Sequence, residues 1–288
     1  MKKIFLFLVL MVAILPLIVL ADETYYINNG ETTITAEEYN NLVNLGFEDK
    51  EIYGMSLEMF NENRDLRGEV IKKVTLDMSE FPQLSLNPDE TIGGGIANPS
   101  NYGYCETEYK KMTVYIVGIS TYYRYKVTLE WLKIPYKRSW DIIALSHETN
   151  VRPGISATFE QAWCKSSGCM TSQDGTYYSY DDVEIVTFKL PSGTLTSLNS
   201  FLYYPVLRVN PNEVIESITT IGDYAHAIST VSTPLSKSDI YFWDEIMVPN
   251  HATKYDDIMA VDITKTVNWG AWYRKRKRCV LKMHSKNL

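Results

Sequence analysis

From Glu69 onward, apolar and polar residues alternate with a period of two. In the clearest run, Tyr123, Tyr125, Val127, Leu129 and Trp131 alternate with Arg124, Lys126, Thr128 and Glu130. That spacing predicts a strand with one buried face and one wet face. Further runs lie at 69–77, 109–118, 139–146, 155–163, 182–190, 201–209, 216–231, 240–247 and 258–264, punctuated by NP, GGG, PG, DG, PSG and NPN. About ten short strands with no long helix between them predict an antiparallel two-sheet β-sandwich, jelly-roll or immunoglobulin-like, over residues 69–273.

Residues 35–66 have a helical period instead. Thr35 and Glu38 have capping-box spacing, Tyr39, Leu42 and Val43 share a face, Gly46 stands where a helix ends, and Ser56 can cap a segment bearing Leu57 and Phe60. A unit this small buries little by itself and is expected to pack on its neighbour. Residues 22–34 read as an extended segment.

Before them, Lys2 and Lys3 precede an apolar run from Ile4 to Leu20, closed by Ala21 ahead of Asp22 and Glu23. This is the pattern of a cleaved signal peptide over 1–21, with an uncleaved membrane anchor as the alternative. The expected location is therefore secreted, extracellular or cell-surface.

Charge sharpens the expectation. Removing residues 1–21 takes Lys2 and Lys3 from 28 basic residues and none of 35 acidic ones, moving the net charge from −7 to −9. Residues 274–288 hold seven cations and no acid, led by Arg274, Lys275, Arg276, Lys277 and Arg278, so residues 22–273 stand at −16. A body this acidic excludes a nucleic-acid-binding face, which needs clustered cations. The basic tail is a candidate for docking on anionic lipid or wall polymer, or else a solvated terminus. Membrane contact is expected only through that tail or an uncleaved N-terminal run.

Four cysteines follow the apolar run: Cys105, Cys164, Cys169 and Cys279. One C-x4-C without a second knuckle does not make a zinc site, and a redox C-x-x-C is absent. Outside the cell, Cys164 and Cys169 are expected to oxidise together, closing KSSG between a strand ending near Trp163 and a polar loop. Trp163 with Tyr177, Tyr178 and Tyr180 is a candidate binding rim beside that loop. The alternative is that these aromatics complete a core or a cross-strand ladder. Pairing of Cys105 with Cys279 is left open.

The segments YNNLVNLGFEDKEIYGMSLEMFNENRDL, YRYKVTLEWLKIPYKRSWDIIALSHE, FKLPSGTLTSLNSFLYYPVL and IGDYAHAIST resemble a group of exported, signal-peptide-bearing β-rich proteins of low-GC Gram-positive bacteria. The resemblance covers most of residues 35–232. It implies export and a β-rich fold and assigns no activity, so it carries no functional residue onto this chain.

Candidate catalytic patterns are few. GISAT and GISTY lack the second glycine of a nucleophile elbow, and HETNV lacks the second histidine of a zinc-protease helix. Asp223 and His226 lie three apart, an odd step that sends them to opposite faces of a strand. His226 is thus expected to be a half-buried structural histidine. Asp174, Asp181, Asp182 and Glu184 surround the cystine loop, where calcium is the one metal worth weighing against a solvated acidic loop, and no other cofactor is expected. These features together predict an exported, non-enzymatic binding or interaction module for cell-wall glycan or a surface protein. The alternatives are a glycan hydrolase with carboxylates from distant strands, or a structural surface component.

Overall fold

The computed structural model describes residues 24–77, 110–120, 122–155, 157–210, 215–227, 231 and 233–234, together with the strands at 240–243, 246–249, 255–266 and 278–279. Strands β1 (Tyr25–Ile27) and β2 (Thr32–Ile34) pair around a 3-10 turn, Asn28–Gly30. Three short helices follow: α1 (Ala36–Asn44), α2 (Asp49–Gly54) and α3 (Leu57–Asn63). A seven-stranded sheet then runs in the order β3 (Gly68–Asp77), β4 (Lys110–Ile119), β5 (Tyr122–Trp131), β12 (Ser197–Arg208), β8 (Thr158–Lys165) and β9 (Gly168–Ser172), with β7 (Val151–Pro153) also on β12. A six-stranded sheet runs β10 (Thr176–Tyr180), β11 (Val183–Lys189), β6 (Trp140–Ser146), β13 (Ser217–Ala227), β16 (Tyr255–Thr266) and β17 (Arg278–Cys279). Strands β14 (Ile240–Trp243) and β15 (Ile246–Pro249) form a separate hairpin. The strand pairs are antiparallel.

The two sheets make the expected sandwich. Between them lie Val114 and Ile116 of β4, Tyr125, Val127 and Leu129 of β5, and Leu202 and Tyr204 of β12. These meet Ile143 and Leu145 of β6, Val186 and Phe188 of β11, and Tyr224 of β13. Gly222 of β13 is required by the closeness of this packing: a Cβ there would stand 2.5 Å from Val114 Cγ2 and 3.0 Å from Val127 Cγ2. The strand order itself was not readable from spacing, because period two records which face a residue takes but not which strand lies beside it.

The helical unit follows its local rules. Thr35 accepts from the Glu38 amide, the Glu38 carboxylate accepts from the Thr35 amide, and Ser56 caps α3 through Met59. Gly46 takes φ +83° in the turn after α1. Val43 does not share the buried face of Leu42. It is exposed, and Leu45 and Phe47 take the inward positions with Ile52, Met55, Met59 and Phe60. Their partners are Tyr115, Val117, Ile119, Phe201 and Tyr203 on the outer face of the seven-stranded sheet.

This docking corrects the reading of β5. Its supposed wet face is covered by the helical unit, and Arg124, Lys126, Thr128 and Glu130 are all buried there. Three other expectations change. The stretch after Cys169 is strand β9 rather than a polar loop, the expected strand at 240–247 is divided between two paired strands, β14 and β15, and residues 25–34 fold back on themselves as the β1–β2 pair rather than running as one extended segment. The tail region contributes the two-residue strand β17, where Arg278 pairs with Asp262 and Cys279 with Val261 along the backbone.

Candidate functional site

Strands β8 and β9 form a hairpin turning at Ser166 and Ser167, and its register places Cys164 directly opposite Cys169. The two are joined in a disulfide. Gly168 at φ +136° gives the turn a backbone conformation that a side chain would strain. One neighbouring loop is bonded to this hairpin, and a second loop is bonded to the first. The Thr196 amide donates to Cys164 O at 2.8 Å, the Leu190 amide to Ser139 O at 2.8 Å, and Arg138 Nη1 to Pro191 O at 3.1 Å. The β5–β6 loop, the β8–β9 turn and the β11–β12 loop therefore form one braced end of the sandwich.

That end has a composition no single motif announced. Residues 131–140, 162–173 and 189–199 contain Lys133, Lys137, Arg138, Lys165 and Lys189 and no Asp or Glu. Tyr136 stands 93% exposed at the β5–β6 loop with Lys137 Nζ 5.7 Å from its ring centre, and Leu132 is 43% exposed. The bond between the cysteines closes a short loop, so its chain-entropy contribution is below the roughly 3 kcal/mol of a fifteen-residue loop. Replacing both Cys164 and Cys169 with serine is accordingly expected to leave the far-ultraviolet circular dichroism of the sandwich intact. Amide exchange within 165–172 should accelerate. Loss of the whole β signal would show that the bond holds more than its hairpin.

The four aromatics of the expected rim do not share a face. Trp163 packs against the core between the sheets, while Tyr178 and Tyr180 pack on the outer face of the six-stranded sheet near Ile142, Val183 and Ile185. Tyr177 lies on the opposite side of β10 from those two and is 43% exposed. Strand alternation imposes this split, since neighbouring residues point to opposite faces.

Beneath the braced end lies a polar cluster inside the sandwich. Asp141, the second residue of β6, accepts from the Tyr224 hydroxyl, from His226 Nδ1 at 3.0 Å and from the Ala227 amide at 3.1 Å. The His226 ring meets Trp131 edge-on at 4.8 Å, and Lys110 Nζ lies 5.2 Å from the Trp131 ring and 5.0 Å from the Tyr224 ring. His226 is fully buried rather than half-buried, and its partner is Asp141, not Asp223. The missed signal was parity: Asp141 shares the strand face of Ile143 and Leu145, where an acid needs a partner.

No family model matches the chain, and no curated protein matches its sequence.

A second group of ionisable residues lies under the helical unit. Lys126 Nζ donates to Glu51 Oε2 at 2.5 Å, to Gly46 O at 2.8 Å and to Thr128 Oγ1 at 2.9 Å, and Thr128 donates to Glu51 Oε1 at 2.8 Å. Burial pushes the Glu51 carboxyl above the usual carboxylate range and Lys126 below the usual amine range, and their mutual attraction opposes both shifts. Around the rim, Lys50 and Lys111 pair with Glu130, and Tyr115 donates to Glu48 at 2.6 Å. Desolvation raises the Tyr115 hydroxyl, with the Glu51 and Glu48 carboxylates adding to the shift. Glu160 on β8 is fully buried, and desolvation there, only partly offset by Gln173 and Ser56, pushes it up to about 7. Lys50 is exposed and Glu48 and Lys111 are partly so, while Glu51, Lys126, Glu130 and Glu160 are buried, so the arrangement joins the helical unit to the sheet.

The remaining candidates are soon placed. Among the described residues, no cluster of three or more His, Cys, Asp or Glu is arranged to hold a metal. Near the hairpin, Asp174 accepts from Ser172 and Glu184 from Ser179. The expected signal peptide, Cys105 and the basic residues 274–277 lie outside the described residues.

Proposed function

We propose that the protein is exported and acts as a non-enzymatic binding module at or outside the cell surface, with the braced loop end as its recognition end. The Cys164–Cys169 bond carries this reading. Disulfides persist in oxidising compartments, and the N-terminal apolar run of the sequence has the form that export requires. A hairpin closed by a disulfide and bonded to the β11–β12 loop presents its side chains already ordered, which lowers the entropy cost of binding. The targets it suits are cell-wall glycan or another surface component.

Co-sedimentation of oxidised residues 22–288 with purified Gram-positive cell envelopes, walls together with membranes, tests this. Saturable binding that weakens on reduction is expected. Absence of binding under both conditions would overturn it.

A further inference from the structure

We infer that the braced end of the sandwich docks on an anionic lipid bilayer, with Tyr136 and Leu132 entering the interface and Lys133, Lys137, Lys165 and Lys189 facing the lipid phosphates. The inference rests on the proposed recognition end and names its partner.

Topology gathers these residues from three distant stretches. The β5–β12 register pairs Glu130 with Asn199, and the β12–β8 register pairs Asn199 with Ala162 and Ser197 with Cys164. The ends of β5 and β8 and the start of β12 therefore stand in one row. The β11–β6 register sets Lys189 opposite Trp140, bringing the second sheet to the same end. Arg138, through its bond to Pro191 O, braces the loops that display the lysines.

Charge complementarity favours an anionic partner. The three loops contribute five cations and no acid to a chain of net charge −7, so they form a locally basic patch on an acidic molecule. The strand registers place Asp77 and Asp257 at the same end, and it is the three loops that would face a negative surface. The apolar residues favour a bilayer over a sugar polymer. Tyr136, 93% exposed between Lys133 and Lys137, and Leu132, 43% exposed, sit on one loop. A tyrosine ring with a polar tip suits the headgroup level of a membrane, and lysine stems reach past apolar neighbours to place their charges in water. A neutral glycan asks instead for acceptors to its hydroxyl groups, and these loops offer no carboxylate for that purpose.

Sedimentation with vesicles of phosphatidylglycerol and phosphatidylcholine in equal parts, against phosphatidylcholine alone and against lipid-free wall sacculi, tests the inference. Binding to the anionic vesicles, falling with added salt, is expected. Replacing Lys133, Lys137, Lys165 and Lys189 together with glutamine should weaken it on the order of a thousandfold, at about 1 kcal/mol for each lysine near such a surface. Tyr136→Ala should weaken it roughly tenfold through lost apolar burial. These are surface changes, and an unaltered unfolding midpoint would confirm that the variants are folded. A variant ending at Tyr273 should retain most of the binding.

Binding to sacculi but not to vesicles would overturn the lipid assignment while leaving the recognition end in place. Binding to neither would overturn both. Residues 78–109 contain Glu80, Asp89, Glu90, Glu106 and Glu108 and no Lys or Arg. If vesicle binding emerged only when those five were changed to their amides, the chain's own acids would be the partner of the basic end, and the inference would fail. Binding that vanished with the tail alone would likewise overturn it.

Discussion

Replacing Lys126 with alanine will lower the stability of the folded chain by about 3–5 kcal/mol, the usual consequence of stranding one partner of a buried ion pair. Lys126 and Glu51 are both fully buried, and the ammonium is the donor that Glu51 Oε2, Gly46 O and Thr128 Oγ1 share. Without it, Glu51 must either remain charged in a low-dielectric site or take up a proton. The loss should therefore be largest near neutral pH and shrink as the solution is acidified. The paired replacement Glu51→Leu with Lys126→Met removes both charges and should recover more than half of the deficit. Urea unfolding of the three proteins measures this directly. If Lys126→Ala shifted the midpoint no more than an ordinary surface substitution, the helical unit would not be seated on β5 as described.

Glu160→Gln is expected to act in the opposite direction. The folded chain holds this carboxyl at about 7, above its ordinary value of 4.5, because desolvation on the buried face of β8 disfavours its charged form. A raised value means that the folded state keeps a proton that the unfolded chain has released. The stabilisation is fully present below pH 4.5 and is lost as pH rises to about 7. At 1.36 kcal/mol for each pH unit, the difference amounts to about 3 kcal/mol. The glutamine variant stays neutral throughout, so it should match the parent protein in acid and exceed it in stability above neutral pH. The quantity to measure is the difference between the two pH–stability curves. A constant difference across the whole range would show that Glu160 is solvated rather than sealed beneath Ser56 and the helical unit.

Both predictions concern a surface that the sequence presents as wet. Arg124, Lys126, Thr128 and Glu130 alternate with apolar residues in a pattern that normally separates solvent from core. Alternation records which residues share a face, but not what covers that face. The helical unit supplies its own cations and acids, Lys50, Glu48 and Glu51 among them, and these match the charges on the strand. The covered face is therefore polar without being exposed.

The sequence by itself determined the features that depend on near neighbours: the Thr35–Glu38 capping box, the Ser56 cap, the left-handed Gly46, most of the strands and the oxidised Cys164–Cys169 pair. Each needs only residues a few positions apart, so composition and spacing suffice. Tertiary structure alone decided the rest. It brought Asp141 to His226 across 85 residues and Glu51 to Lys126 across 75. It divided Trp163 and the three tyrosines among separate faces, and it gathered Lys133, Lys165 and Lys189 at one end of an acidic molecule. Those arrangements follow from which strand lies beside which. Neighbours in a sheet are selected by the packing free energy of the whole sandwich, and that information is not local to any stretch of chain.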